Sequence, residues 1–208
     1  ITPLSLSDEY GEVKIYMLPF IKPAHVRRFY PEERIETYTD AIRIAIGNMQ
    51  VPGDSRNILI THQFVTGASR TESEEISVGG SDNVDASVFD KFDYVALGHI
   101  HRPQNIGSEK VRYCGTPLKY SFSEANDRKS VSIVEIGENG AVAIRETPLV
   151  PLRDMVELKG KYEDLMLKSF YEGKTYQEDY THITLTDEED IPDALAKLRG
   201  GYHNLMKL

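Results

Sequence analysis

The chain has 208 residues, 40% hydrophobic and 27% charged, so it can bury a real core as one large domain or two small ones. No apolar run approaches a membrane span, ITPLSLSDEYGEV lacks a signal-peptide pattern, and one cysteine leaves no internal disulfide, so a cytoplasmic location is expected. The net charge of −9 argues against grip on nucleic acid through a broad basic face, yet it admits a nuclease whose bound cations supply the positive charge.

In chain order, EVKIYMLPF predicts a strand stopped by Pro19 and Pro23. PEERIETYTDAIRIAIGNM predicts a helix: Pro31 suits its first turn, and Ile35, Tyr38, Ile42, Ile46 and Met49 form one apolar stripe. NILITH is the short apolar run of a buried parallel strand. Residues 65–82, rich in Gly, Ser and Glu, predict a long loop of the kind that carries function. VDASVFDKF predicts a short helix, with Asp82 and Asp85 in capping roles, and DYVALG a second buried strand that ends in His-Ile-His. That alternation is an α/β pattern.

Beyond Arg102 the segments VRYCGT, LKYSFS, KSVSIVEI and AVAIRETPL predict strands of antiparallel character, the last two joined by a Gly-Glu-Asn-Gly turn. Cys114, in this apolar setting, is expected to be a buried structural thiol. Arg128 and Lys129, like the other small basic groups, have solvated surface as their plain reading. A boundary near residues 149–155 divides the chain into domains 1–150 and 151–208. The second predicts strand (MVELKG), helix (YEDLMLKSFYEG), strand (DYTHITLTD), helix (IPDALAKLRGGY) and the start of a strand (NLMKL).

Six histidines are present. His25, His182 and His203 have no strand-end context and read as packing or surface residues. His62 follows NILIT and His99 follows DYVALG, so two strands deliver an imidazole to one sheet edge, where α/β folds collect functional groups. His101, two residues after His99, projects to the same side of an extended chain. Gly98 permits a tight turn or a close approach. Neutral imidazoles bind Mn, Fe, Ni and Zn, so the three make a candidate metal site. A two-metal phosphoesterase centre also needs a bridging carboxylate. The chain has no Asp-x-His or Asn-His, and Gly53-Asp54 follows a helix end, so the anionic half of such a centre is missing from it.

ILITHQFVTGA, the Gly-Gly-Ser-Asp-Asn-Val-Asp stretch at 79–85, FDYVALGHIH and RYCGTPLKYSFSEA carry a resemblance, as does DYTHITLTDEEDIPDALAKLRGGYHNLMKL. They resemble the bacterial SbcD family of exonuclease subunits, in the double-strand-break repair branch of the calcineurin-like metallophosphoesterases. The resemblance implies the later part of a two-sheet metallophosphoesterase sandwich over 1–150, then most of a small α+β capping domain over 151–208. It implies two Mn²⁺ ions in the complete protein, His62 and His99 on one and His101 on the other, with the remaining ligands and catalytic residues expected upstream of Ile1. It further implies cleavage of DNA at double-strand ends and hairpins in repair and recombination, an SbcC-type partner ATPase and a homodimer. Arg102, and Lys119 with the loop 120–122, are expected DNA contacts. Two rivals stand beside this: a metallophosphoesterase for small phosphodiesters or nucleotides, and a non-catalytic fragment that binds DNA or a partner. The second domain disfavours the former; the incomplete ligand set favours the latter for the chain alone.

Overall fold

The computed structural model describes residues 1–74 and 82–208; the Gly-Gly-Ser of the 79–85 stretch and much of the expected long loop lie outside them. The first unit comprises Ile1–Pro117 and Lys129–Pro148, the second Leu118–Arg128 and Leu149–Leu208.

The first unit opens with an antiparallel hairpin of β1 (Leu4–Asp8) and β2 (Gly11–Leu18), turned at Gly11 with φ +100°. The sequence signalled only β2, because five residues of Leu/Ser alternation are too short to stand out. A short helix, α1 (Pro23–Arg27), precedes α2 (Tyr38–Gly47). The helix expected from Pro31 begins seven residues later. Thr37 and Asp40 form a reciprocal capping box there, which satisfies the first free amides and fixes the start more strongly than Pro31 does.

β3 (Arg56–His62), β4 (Phe64–Val65), β5 (Asn83–Val84) and β6 (Tyr94–Gly98) follow, with the helix expected at VDASVFDKF reduced to one 3₁₀ turn, Ala86–Phe89. Next come β7 (Gln104–Ile106), β8 (Ser108–Tyr113), β9 (Ser130–Ile136) and β10 (Val142–Pro148). The main sheet has the order β1-β2-β3-β6-β8-β7, and β9 and β10 form a separate antiparallel hairpin. The antiparallel pairing expected after Arg102 holds for β7 with β8 and for β9 with β10, but not for the whole block. β8 pairs in parallel with β6 and so continues the central sheet.

Period-2 alternation gives the main sheet two faces. Tyr16, Leu18, Leu59, Val95, Leu97 and Tyr113 pack with Ile42 and Ile46 of α2 in a buried core. The opposite face carries Leu6, Val13, Ile15, Ile58, Ile60, Tyr94 and Ala96, which line an open apolar groove beside Val134 and Ile136 of β9. Leu6 is 51% exposed, Met17 56% and Ile60 46%, so the described residues leave much of this face uncovered.

In the second unit, β11 (Met155–Gly160), β12 (Tyr180–Leu185) and β13 (Asn204–Lys207) form a parallel sheet in that order. The helices are short: α3 (Tyr162–Leu165), α4 (Lys168–Tyr171) and α5 (Ala194–Leu198). The single helix expected over 162–173 is broken where Leu167 takes an extended backbone, ψ 126°. Leu165, Ile183, Leu198, Tyr202 and Leu205 form this unit's core, and Tyr202 donates its hydroxyl to the Leu165 carbonyl at 2.6 Å.

Residues 118–128, read from the sequence as part of the first domain with a strand at LKYSFS, group with the second unit and make no strand. They turn at Phe122–Glu124, because the buried Glu124 carboxylate accepts from Ser121 Oγ (3.2 Å) and Tyr120 N (3.3 Å) and draws the chain round itself. Among the described residues no helix is long and apolar enough to cross a membrane.

Candidate metal centre

β3 and β6 are neighbouring parallel strands, and their register sets His62 opposite Gly98 at the sheet edge. A Cβ at position 98 would stand 2.7 Å from His62 Nδ1, so only glycine admits the imidazole there. His99 follows at once with φ +100°, a conformation that costs a non-glycine residue about 1–3 kcal/mol. The bend swings its ring toward that of His62, with centroids 5.2 Å apart and planes at 79°. Phe20 stacks on the His99 ring at 6.3 Å, and Phe64 meets it edge-on at the same distance.

His99 Nε2 is buried without a hydrogen-bond partner. An orphaned ring nitrogen in an apolar frame is unfavourable unless something accepts its lone pair or proton. Burial, then the neighbouring His62, holds the pKa of His99 below its ordinary 6.5. Desolvation, then the charge of His101, does the same for His62. Both rings are thus held in the neutral form that binds cations.

The backbone under His62 is fixed by groups the sequence does not signal. Gln63 is fully buried and donates Nε2 to the Pro19 carbonyl at 3.1 Å. Tyr113 donates its hydroxyl to the Gln63 carbonyl (2.7 Å) and accepts from Val65 N–H (2.8 Å). Burial raises the Tyr113 phenol well above its ordinary range, so it stays a donor.

His101 is held differently. Its N–H donates to Glu74 Oε1 at 2.6 Å and its Nδ1 lies 2.8 Å from Ser73 Oγ. Glu74 is buried, and its other oxygen accepts the Thr71 N–H. The only sequence signal for Ser73 and Glu74 was the loop that carries them. Asp82 serves in an ion pair with Arg70 at 3.2 Å rather than as a cap, and the Arg70 guanidinium lies over the Phe64 ring at 3.5 Å. Asp85 does cap the 3₁₀ turn, accepting Ser87 N–H at 2.8 Å.

The imidazoles fit part of a ligand set: two neutral rings face each other and one carries an unmet ring nitrogen. Among the described residues, no group of three or more His, Cys, Asp or Glu side chains is arranged to hold an ion. His101 Nδ1 is engaged with Ser73, and its charge is felt at His62.

Other expectations are corrected by burial and pairing. Cys114 is exposed, because it sits just past the end of β8. Lys119 Nζ donates to the Ala125 carbonyl at 2.6 Å and pairs with Asp154 at 2.9 Å within the second unit. Arg112 is buried and bonded to Glu146 and to Asn105 (2.6 Å). Arg102 is half-buried, and its carbonyl accepts from Gln104 Nε2 at 3.3 Å. His182 and His203 pair with Glu157 and Glu178 in the second unit, and His25 Nδ1 accepts the Lys22 N–H.

Comparison with known proteins bears on the whole chain. Residues 151–208 match the SbcD_C family, described as the type 5 capsule protein repressor C-terminal domain. The SbcD component of the nuclease SbcCD from Staphylococcus epidermidis is 33% identical over 203 residues, which cover 96% of this chain and 54% of that protein. Its counterpart from Staphylococcus saprophyticus is 34% identical over 201 residues, 95% of this chain and 53% of that protein. The chain thus spans about half the length of the curated relatives it matches.

Proposed function

We propose, from the premise that the chain belongs with the SbcD-type nuclease subunits, that it forms the later part of a two-metal DNA nuclease domain together with its capping domain. The observation that carries this reading is the His62–His99 pair, which Gly98 admits at the edge of two parallel strands and which leaves a buried ring nitrogen unmet. In this reading His62 and His99 serve one ion and His101 the other, with Mn²⁺ as the resident metal. Bound there, divalent cations stabilise charge that develops on the phosphoryl oxygens and the departing 3′-oxygen.

The uncovered sheet face supports a second layer, and with it the two-sheet sandwich. Parallel sheets are stable when both faces are covered. Ile58, Ile60 and His62 alternate onto the same face of β3, so a layer laid on that apolar row would arrive beside His62 and Gly98. The carboxylates that the described residues do not supply would enter from that side. His62 and His99, kept neutral, position the cations and take no nucleophilic part; Arg102, which follows His101 in the chain, serves as a phosphate contact. The substrate is DNA at double-strand ends and hairpins, the partner an SbcC-type ATPase, and the assembly a homodimer that acts in repair and recombination.

The test is Mn²⁺-dependent cleavage by the full-length protein that contains this chain, with linear duplex DNA set against a nucleotide phosphoester. Duplex cleavage should dominate, and His99→Ala should lower it by at least about 100-fold, on the order of 2.7 kcal/mol of barrier. Preference for the small ester would move the assignment to small phosphodiesters, and full activity in His99→Ala would sink the metal reading.

A further inference from the structure

Two residues from one stretch of chain converge on the carbonyl oxygen of His101. Thr116 donates its N–H to it at 3.1 Å, and Lys129 donates its ammonium at 2.9 Å. Lys129 Nζ also reaches Thr116 Oγ1 at 3.1 Å, which closes the bracket. Gly115, at φ +76°, makes the approach possible, since a Cβ there would stand 2.7 Å from the same oxygen.

Lys129 is only 4% exposed, although the sequence reads it as solvated surface. Burying an ammonium is costly unless acceptors meet its donors. Among the acceptors here are the main chain of the histidine turn and the hydroxyl beside it, and a charged donor makes the stronger bond. The turn needs restraint. His99 holds a positive φ, and such strain persists only where the surroundings over-determine it.

The bracket also marks where the chain changes unit. After Pro117 it leaves the first unit, and it returns at Lys129. In between, Phe122 packs against His182 with ring centroids 5.3 Å apart, and Lys119 is tied to Asp154.

We infer that Lys129 is a positioning residue for the proposed metal centre: with Thr116 it clamps the main chain of His101 and ties the histidine turn to the two ends of the 118–128 excursion. This rests on the metal reading above, and the experiment separates the two.

In the full-length protein that contains this chain, Mn²⁺ affinity is measured by isothermal titration for wild type, Lys129→Met, Lys129→Arg and His99→Ala. Amide hydrogen exchange at Thr116 is followed without metal. Lys129→Met should weaken Mn²⁺ binding about 10-fold or more, the scale of lost support to a metal ligand, and speed exchange at the Thr116 N–H. Lys129→Arg should restore part of both. Wild-type affinity and protection in Lys129→Met overturn the inference and leave the metal centre standing. Absence of Mn²⁺ binding by wild type, or binding indifferent to His99→Ala, overturns the metal reading and this inference with it. Should Lys129→Met not fold, Lys129→Gln reads the same bracket, since it stays polar but is uncharged and too short to keep the bond to the His101 carbonyl. Wild-type affinity and Thr116 protection there would likewise refute the clamp.

Discussion

At the scale of single residues, the candidate centre depends on one missing side chain. Gly98 lies between a strand that must continue the sheet and an imidazole whose Nδ1 would stand 2.7 Å from any Cβ. That distance is far inside van der Waals contact, so the His62 ring must leave the place it holds against His99. Gly98→Ala should therefore separate the two rings and abolish Mn²⁺ binding in the full-length protein. The overpacking should cost about 1–3 kcal/mol of stability. Titration calorimetry and a thermal melt on the same sample check both; Mn²⁺ affinity equal to wild type would remove Gly98 from the site. The glycine was legible in the sequence, because a Gly immediately before His-x-His at a strand end already asks for a reason. Lys129, Gln63 and Tyr113 were not, since their burial comes from strands far away in the chain.

Among the elements, α2 shows how local chemistry sets a boundary. Thr37 Oγ1 accepts the Asp40 N–H at 3.1 Å, and the Asp40 carboxylate accepts the Thr37 N–H at 2.9 Å. The Thr37 amide, followed by its hydroxyl, holds the Asp40 carboxyl below its ordinary 3.8. A depressed carboxylate contributes stability above its unfolded value and loses it as pH falls through the folded one. Asp40→Ala should thus lower stability by about 0.3–1.5 kcal/mol at neutral pH. The gap from wild type should close as pH drops below 3.8. Urea titrations at several pH values measure this, and a gap that stays constant into acid would show the carboxylate is not what starts the helix. The apolar stripe of α2 was readable ahead of the structure, but the stripe alone extended the helix over 31–36. Between the candidate N-termini, the reciprocal side-chain bonds decided. The same limit applies over 162–173, where amphipathic spacing suited one helix and the backbone at Leu167 makes two.

For the whole molecule, each unit has its own buried core, one around Leu59, Val95 and Tyr113, the other around Leu165, Ile183 and Tyr202. Burial pushes the Tyr202 phenol up to about 12, so it remains a donor to the Leu165 carbonyl across the working pH range. Tyr202→Phe leaves that buried carbonyl unmet and should cost about 1–3 kcal/mol. Scanning calorimetry should assign the loss to the transition of the second unit and leave that of the first in place. A loss shared equally by one merged transition would mean the two cores unfold together.

The sequence by itself determined the α/β alternation, the strands that end at His62 and His99, the glycine between them, and the resemblance that comparison with the staphylococcal proteins bears out. These are local or periodic properties, written in spacing and residue type over a few turns. Only the tertiary structure decided that β8 joins β6 in parallel, that 118–128 packs with the second unit, that His101 is held by Ser73, Glu74 and Lys129, and that the described residues leave one apolar sheet face open. Each of these depends on which distant segments meet. Burial and pairing follow from that meeting, and no short window of sequence contains it.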